Sequence, residues 1–178
     1  GRPLQFDQWI IMNLPDDVYY HKHLMYNVGI ASARGEIITI SDSDAMYTPT
    51  FIETVLETFT LNENIVLHMD QVRNSNRKFY PYNFPTFNEL TDENCSNFRN
   101  NSTIGLQDFN DPIHSLNYGA CMSAKRADMI EIGGADEHLD YLGHICGPYD
   151  MTFRHANLGL EEIWHGTEML YHTWHPGQ

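Results

Sequence analysis

Apolar residues recur at helical spacing at Tyr20, Leu24, Val28 and Ala31, behind an Asp16-Asp17 pair suited to capping and ahead of Gly35. The pattern predicts a helix ending near Arg34. Glu36-Ile37-Ile38-Thr39-Ile40-Ser41 follows directly. It is short, β-branched and apolar at adjacent positions, the pattern of a central parallel strand covered on both faces. Thr48-Pro49 then reads as an N-cap and first helical residue, opening a helix that buries Phe51, Ile52, Val55, Leu56 and Phe59. Ile65-Val66-Leu67-His68-Met69 is the next predicted strand. Strand, helix and strand in alternation imply an α/β fold with a mostly parallel sheet.

Residues 74–117 change character to Asn, Pro, Thr and aromatics with little periodicity. That is too long for an ordinary connection and fits a binding loop making acceptor contacts, or partial disorder. Beyond it the pattern predicts a strand over 118–124, a short helix over 126–132 stopped by Gly133-Gly134, a helix over 149–158 ended by Gly159, and a closing strand over 169–172. No repeat, low-complexity tract or linker interrupts the chain. A single domain spanning 1–178 is the expectation for this length and a hydrophobic share of 42%.

The formal charge of −14 argues against nonspecific binding to nucleic acid or to an anionic membrane surface. A phosphate ligand would need a cation to mediate, and a divalent metal inverts the local charge logic in that way. Cys95, Cys121 and Cys146 are odd in number and outside the usual metal spacings, so they read as reduced thiols of a cytosolic protein. No stretch approaches the roughly 20 apolar residues of a membrane span. The start at Gly1, close to the apolar run Trp9-Ile10-Ile11-Met12, fits a processed chain or a piece of a longer one. Asn94-Cys95-Ser96 and Asn101-Ser102-Thr103 match the glycosylation sequon, which matters only in a secreted chain.

Two carboxylates at i and i+2 after a buried strand can both reach one hard cation, and ligands of open α/β sheets bind beyond the carboxyl ends of the strands. Asp42 and Asp44 meet both conditions. Alone, such a pair is commonplace. The composite is more specific: Asn27-x-Gly29, Ala33-x-Gly35-Glu36-Ile37-Ile38, Ser41-Asp42-Ser43-Asp44 and Pro49-x-Phe51-Ile52, with a later block of Gly119 to Arg126 and Ile132-Gly133-Gly134-Ala135-Asp136-Glu137. In order and spacing these segments resemble the core signature of family 2 glycosyltransferases, over roughly residues 22–60 and 118–176.

That resemblance implies the GT-A fold, a Rossmann-like α/β/α sandwich, with part of its N-terminal nucleotide-binding region outside this sequence. It further implies transfer of a sugar from a nucleoside-diphosphate sugar to an acceptor hydroxyl with Mn2+ or Mg2+ as cofactor. The acceptor would be a glycan or glycolipid in polysaccharide or glycoconjugate synthesis, and the enzyme would be cytoplasmic, at the inner face of a membrane if peripherally associated. By the same resemblance Asn27, Gly29, Ala33, Asp42 and Ser43 would contact the donor. Asp42 would reach its ribose or the metal, Asp44 would bind the metal directly, and His172 and His175 of Tyr171-His172-Thr173-Trp174-His175-Pro176-Gly177 would complete the shell.

The chain departs from the family at the catalytic base. Where members carry Glu-Asp-x-Asp-Leu-x-x-Arg, this chain has Gly147-Pro148-Tyr149-Asp150-Met151-Thr152-Phe153-Arg154. Asp150 is the first candidate for the base, Asp136 and Glu137 are the others, and a reaction other than simple inversion stays open. Asp150 equally fits a residue flanking a helix N-terminus. Arg73 and Lys125-Arg126 could reach phosphates, but solvated surface roles suit them better. Trp174 fits core or lid better than a sugar platform, and His165 fits a structural role. Two other functions compete. One is a haloacid dehalogenase-like phosphohydrolase, disfavoured by Met46 where a Thr or Val is expected. The other is a non-catalytic nucleotide-sugar-binding domain or inactive fragment.

Overall fold

The computed structural model describes residues 6–80, 85–91, 95, 98–99, 102–103, 116–142 and 147–176. The helices are α1 (Lys22–Ser32), α2 (Phe51–Leu61), α3 (Phe87–Leu90), α4 (Arg126–Glu131) and α5 (Gly147–Asn157). The strands are β1 (Ile37–Ser41), β2 (Ala45–Met46), β3 (Ile65–His68), β4 (Gln71–Asn74), β5 (Phe98–Arg99), β6 (Ser102–Thr103), β7 (Cys121–Lys125), β8 (Glu161–Trp164) and β9 (Leu170–Thr173).

The main sheet has the order β1-β7-β3-β8, a smaller one has the order β2-β9-β4, and β5 pairs with β6. Both sheets are mixed, which corrects the expectation of a mostly parallel one. β7 runs antiparallel to β1 and to β3, whereas β3 and β8 are parallel. The reversal follows from where the chain comes back: residues 116–120 lie at the carboxyl end of β1, where the Asp42 amide donates to the Ala120 carbonyl at 3.2 Å, so β7 must run back down the sheet.

Helices cover both faces of the main sheet, as expected for an α/β/α sandwich. On one face Ile30 of α1, Met129 of α4 and Met151 of α5 pack with Ile38, Ile40, Val66, Met122 and Ala124. On the other, Phe51, Val55 and Phe59 of α2 pack with Ile65, Leu67, Cys121 and Leu170. β3 is buried throughout, so its apolar run is the central strand. β1 borders the sheet among the described residues and leaves Thr39 exposed, so only its Ile38 and Ile40 face is fully covered. α2 buries a narrower stripe than predicted, and Ile52 and Leu56 are 65% and 53% exposed.

Two helix starts differ from prediction. Asp16 and Asp17 sit in a turn closed by Val18 N–H to the Pro15 carbonyl at 3.0 Å, and α1 begins only at Lys22. α2 begins at Phe51, because the hydroxyls of Thr48 and Thr50 bond the buried carboxylate of Glu168 rather than capping the helix. At the predicted stops, Gly133, Gly134 and Gly159 have φ of 80°, 73° and 93°, the left-handed region that favours glycine. Burial pushes the Cys121 thiol up to about 12, and among the described residues neither Cys95 nor Cys121 is joined in a disulfide. Cys146, the two sequons' asparagines and 104–115 of the expected binding loop lie outside the described residues. Among the described residues no helix is long and apolar enough to cross a membrane.

Candidate active site at the carboxyl edge of the sheet

The chain leaves β1 at Ser41 and turns at once, with Ala45 N–H donating to the Asp42 carbonyl at 3.3 Å. β2, which leaves this turn, pairs antiparallel with β9 in a register that sets Ala45 opposite His172. That pairing carries the C-terminal histidines to the acidic turn. His172 Nε2 lies 3.1 Å from Asp44 Oδ2, and His175 Nε2 lies 2.8 Å from the same oxygen. The hydrogen bond from His172 is the main influence pulling Asp44 down to about 2, against partial burial. One donor atom from each of Asp44, His172 and His175 falls within 4.8 Å of the others.

The tautomer of His175 bears on what this cluster can hold. Its Nδ1 is 3.0 Å from the Pro176 carbonyl, which can only accept, so the ring proton belongs on Nδ1. A neutral His175 therefore turns a bare Nε2 toward a carboxylate oxygen. Two lone pairs at 2.8 Å require a proton or a cation between them. Trp174, between the two histidines in sequence, is held by the Arg77 guanidinium 4.7 Å from its ring centroid and by the edge of Tyr80, so it anchors the hook that carries His175.

Asp42 faces a different partner. Its Oδ1 accepts from Lys22 Nζ at 3.0 Å, and it has no place in the Asp44 cluster among the described residues. Ser43 is exposed at the tip of the turn. Arg73, expected at the surface, is only partly exposed on β4 opposite His172. Its Nε donates to Gln71 Oε1 at 3.2 Å. Burial pushes its pKa down, while Asp42, Asp44 and Asp70 oppose that shift. Lys22 escaped the sequence reading. Its signal is a lysine in the first turn of a helix, where the macrodipole disfavours a cation.

The other predicted residues form a second group. Asn27 clamps the glycine turn: Ala135 N–H donates to its Oδ1 at 2.7 Å, and its Nδ2 donates to the Ala135 carbonyl at 2.8 Å and to Glu137 Oε1 at 2.7 Å. Its side chain is thereby engaged by protein. Asp136 Oδ1 accepts from His138 N–H at 2.8 Å, and the Asp136 and Glu137 carbonyls accept from His23 and His21. These two histidines flank Lys22, so the first turn of α1 adjoins both the acidic turn and the Asp136-Glu137 segment. A cavity of about 400 Å³ is lined by Asn27, Gly133, Ala135, Asp136, Glu137 and Arg154. Asp150 reaches it only through Arg154, whose Nε and Nη2 both donate to Asp150 Oδ2, at 3.0 and 2.6 Å. Gly29 and Ala33 lie toward the far end of α1, beside an open cavity of about 910 Å³ shared with Phe6, Ile10 and Arg34, so they do not join Asp42 and Asp44.

Of the remaining histidines, His165 Nδ1 accepts from the Glu168 amide at 2.8 Å and shapes the approach to β9. His68 is buried at the end of β3, stacked on Trp164, and burial is the main influence lowering it to about 4. Its Nδ1 lies 3.2 Å from the Cys121 carbonyl and its Nε2 3.0 Å from the hydroxyl of Thr152, which itself donates to the Pro148 carbonyl at 2.6 Å.

The sequence model of Glycosyl transferase family 2 matches residues 21–132, well over half the chain. The protein belongs to that family. As a family 2 glycosyltransferase it has its acidic turn, α1 and β7 inside the matched stretch, whereas His172, His175, Asp136, Glu137 and Asp150 lie beyond it. No curated protein matches the chain.

Proposed function

We propose that this chain is a metal-dependent glycosyltransferase that moves a sugar from a nucleoside diphosphate to a hydroxyl of a glycan or glycolipid. The observation that carries the reading is the convergence of Asp44, His172 and His175 on the turn after β1, with both imidazole Nε2 atoms within 3.1 Å of one Asp44 oxygen. One carboxylate and two imidazoles suit a divalent transition ion. They weigh toward Mn2+ over Mg2+, which prefers all-oxygen shells. An ion held there would act as a Lewis acid on the departing diphosphate.

The chain's own groups divide the remaining work. Asp42 faces the donor from a position fixed by Lys22. Of the three carboxylates offered as base, Asp150 is ion-paired to Arg154, whereas Asp136 and Glu137 each have one oxygen held by an uncharged donor and are exposed at the lined cavity, which favours them to take the acceptor proton. The same engagement of Asp150 favours a second reading, a domain that binds nucleotide sugar without transferring it.

Release of free nucleoside diphosphate from UDP- and GDP-sugars, measured with Mn2+ and a panel of glycan and glycolipid acceptors, tests the proposal. Release that EDTA abolishes and that falls by roughly 10²- to 10⁴-fold in Asp136→Asn or Glu137→Gln is the expected result. Binding of a donor without release from any pairing would favour the second reading.

A further inference from the structure

Lys22 is the first residue of α1, and its ammonium lies 3.0 Å from Asp42 Oδ1 at the rim of the acidic turn. The stability of α1 does not account for a cation there. The N-terminal end of a helix favours anions, and the first turn of α1 holds no acid to compensate. An ammonium has three donors. Asp42 and Tyr26 engage two, and the side chain keeps 23% of its surface exposed, so a third can point to solvent beside the turn. Partial burial works to lower the Lys22 pKa, but Tyr26 and Asp42 outweigh it and hold the group above the ordinary lysine value.

Charge balance says what that third donor meets. The turn already carries two carboxylates in a protein of net charge −14. A single divalent ion cannot offset them together with a diphosphate. Arg73, another cation near the turn among the described residues, is partly buried and bonded to Gln71. Lys22 is a compact point charge on a flexible stem, suited to sharing itself between two anions. We propose that Lys22 binds the diphosphate of the donor, its ammonium bridging Asp42 and a phosphate oxygen when the turn is loaded. The inference rests on the metal-diphosphate reading above.

Inorganic pyrophosphate with Mn2+ probes this contact free of base and sugar. Calorimetric titration of wild type, Lys22→Gln and Lys22→Arg, each with Mn2+ alone and then with Mn2+ plus pyrophosphate, separates the outcomes. Lys22→Gln is expected to weaken pyrophosphate binding by roughly 10- to 100-fold while Mn2+ affinity stays put, and Lys22→Arg to keep most of it. Should Lys22→Gln not fold, Lys22→Met removes the same charge and keeps the apolar stem. Unchanged pyrophosphate affinity in the charge-removed variant overturns the inference. So does a parallel loss of Mn2+ affinity, which would make Lys22 only a brace for the turn. A wild-type protein that binds no metal pyrophosphate overturns this inference and the functional reading together.

Discussion

His68 shows how much a single residue's surroundings decide. In sequence it is the polar end of an apolar strand; in the fold it is a buried neutral imidazole that the protein holds near pKa 4. Unfolded, the same ring titrates near 6.5. Between those values the unfolded chain binds more protons, so the stability this residue contributes is complete above about pH 6.5 and is lost as pH falls toward 4, a window corresponding to about 3 kcal/mol. Urea melts across that range should show stability dropping on acidification, with a shallower drop in His68→Gln. Asp44 and His172 were legible as partners because the acidic pair and the terminal histidine stand at family spacings. Lys22 was not, because a helix capped at Asp16-Asp17 puts it beyond the first turn, and its partner lies twenty residues away in the acidic turn.

Among the elements, long apolar runs were legible and short pairings were not. β3, α2, α4, α5 and β9 fall close to their predicted places, since burial on one or both faces imposes a period on their sequences. β2 is only two residues long, and β4 reads Gln-Val-Arg-Asn, so neither carries a period. Yet these two flank β9 and build the sheet that brings His172 to Asp44. Asn27 illustrates a family signature whose physical role is element docking, since it ties α1 to the glycine turn after α4. At Gly134 a methyl group would meet the Asn27 carboxamide at a left-handed φ. Gly134→Ala should therefore cost about 2 kcal/mol or more and lower the melting temperature by roughly 5 °C. Glu168, buried and accepting from Thr48, Thr50 and Thr54, latches the start of α2 to the segment before β9. Its replacement by Ala should cost about 1–3 kcal/mol in a denaturant titration.

For the whole molecule, strand–helix alternation made the α/β layering legible, while the direction of β7 was not. A strand's direction depends on which end of the sheet the chain returns to, and the long aperiodic stretch from 74 to 117 hides that. The outcome matters for function. The carboxyl ends of β1 and β3, the start of β7, and the hook after β9 all gather at one edge, so the acidic turn, the histidines and α1 form one constellation. An acidic protein that binds a diphosphate there needs its cation, which is the central claim. Calorimetric titration of UDP and GDP with and without Mn2+, on wild type and Asp44→Ala, tests it most directly. One of these nucleotides is expected to bind only when Mn2+ is present, and Asp44→Ala to weaken that binding by roughly 100-fold or more. Binding that needs no metal, or that is indifferent to the loss of Asp44, would contradict it.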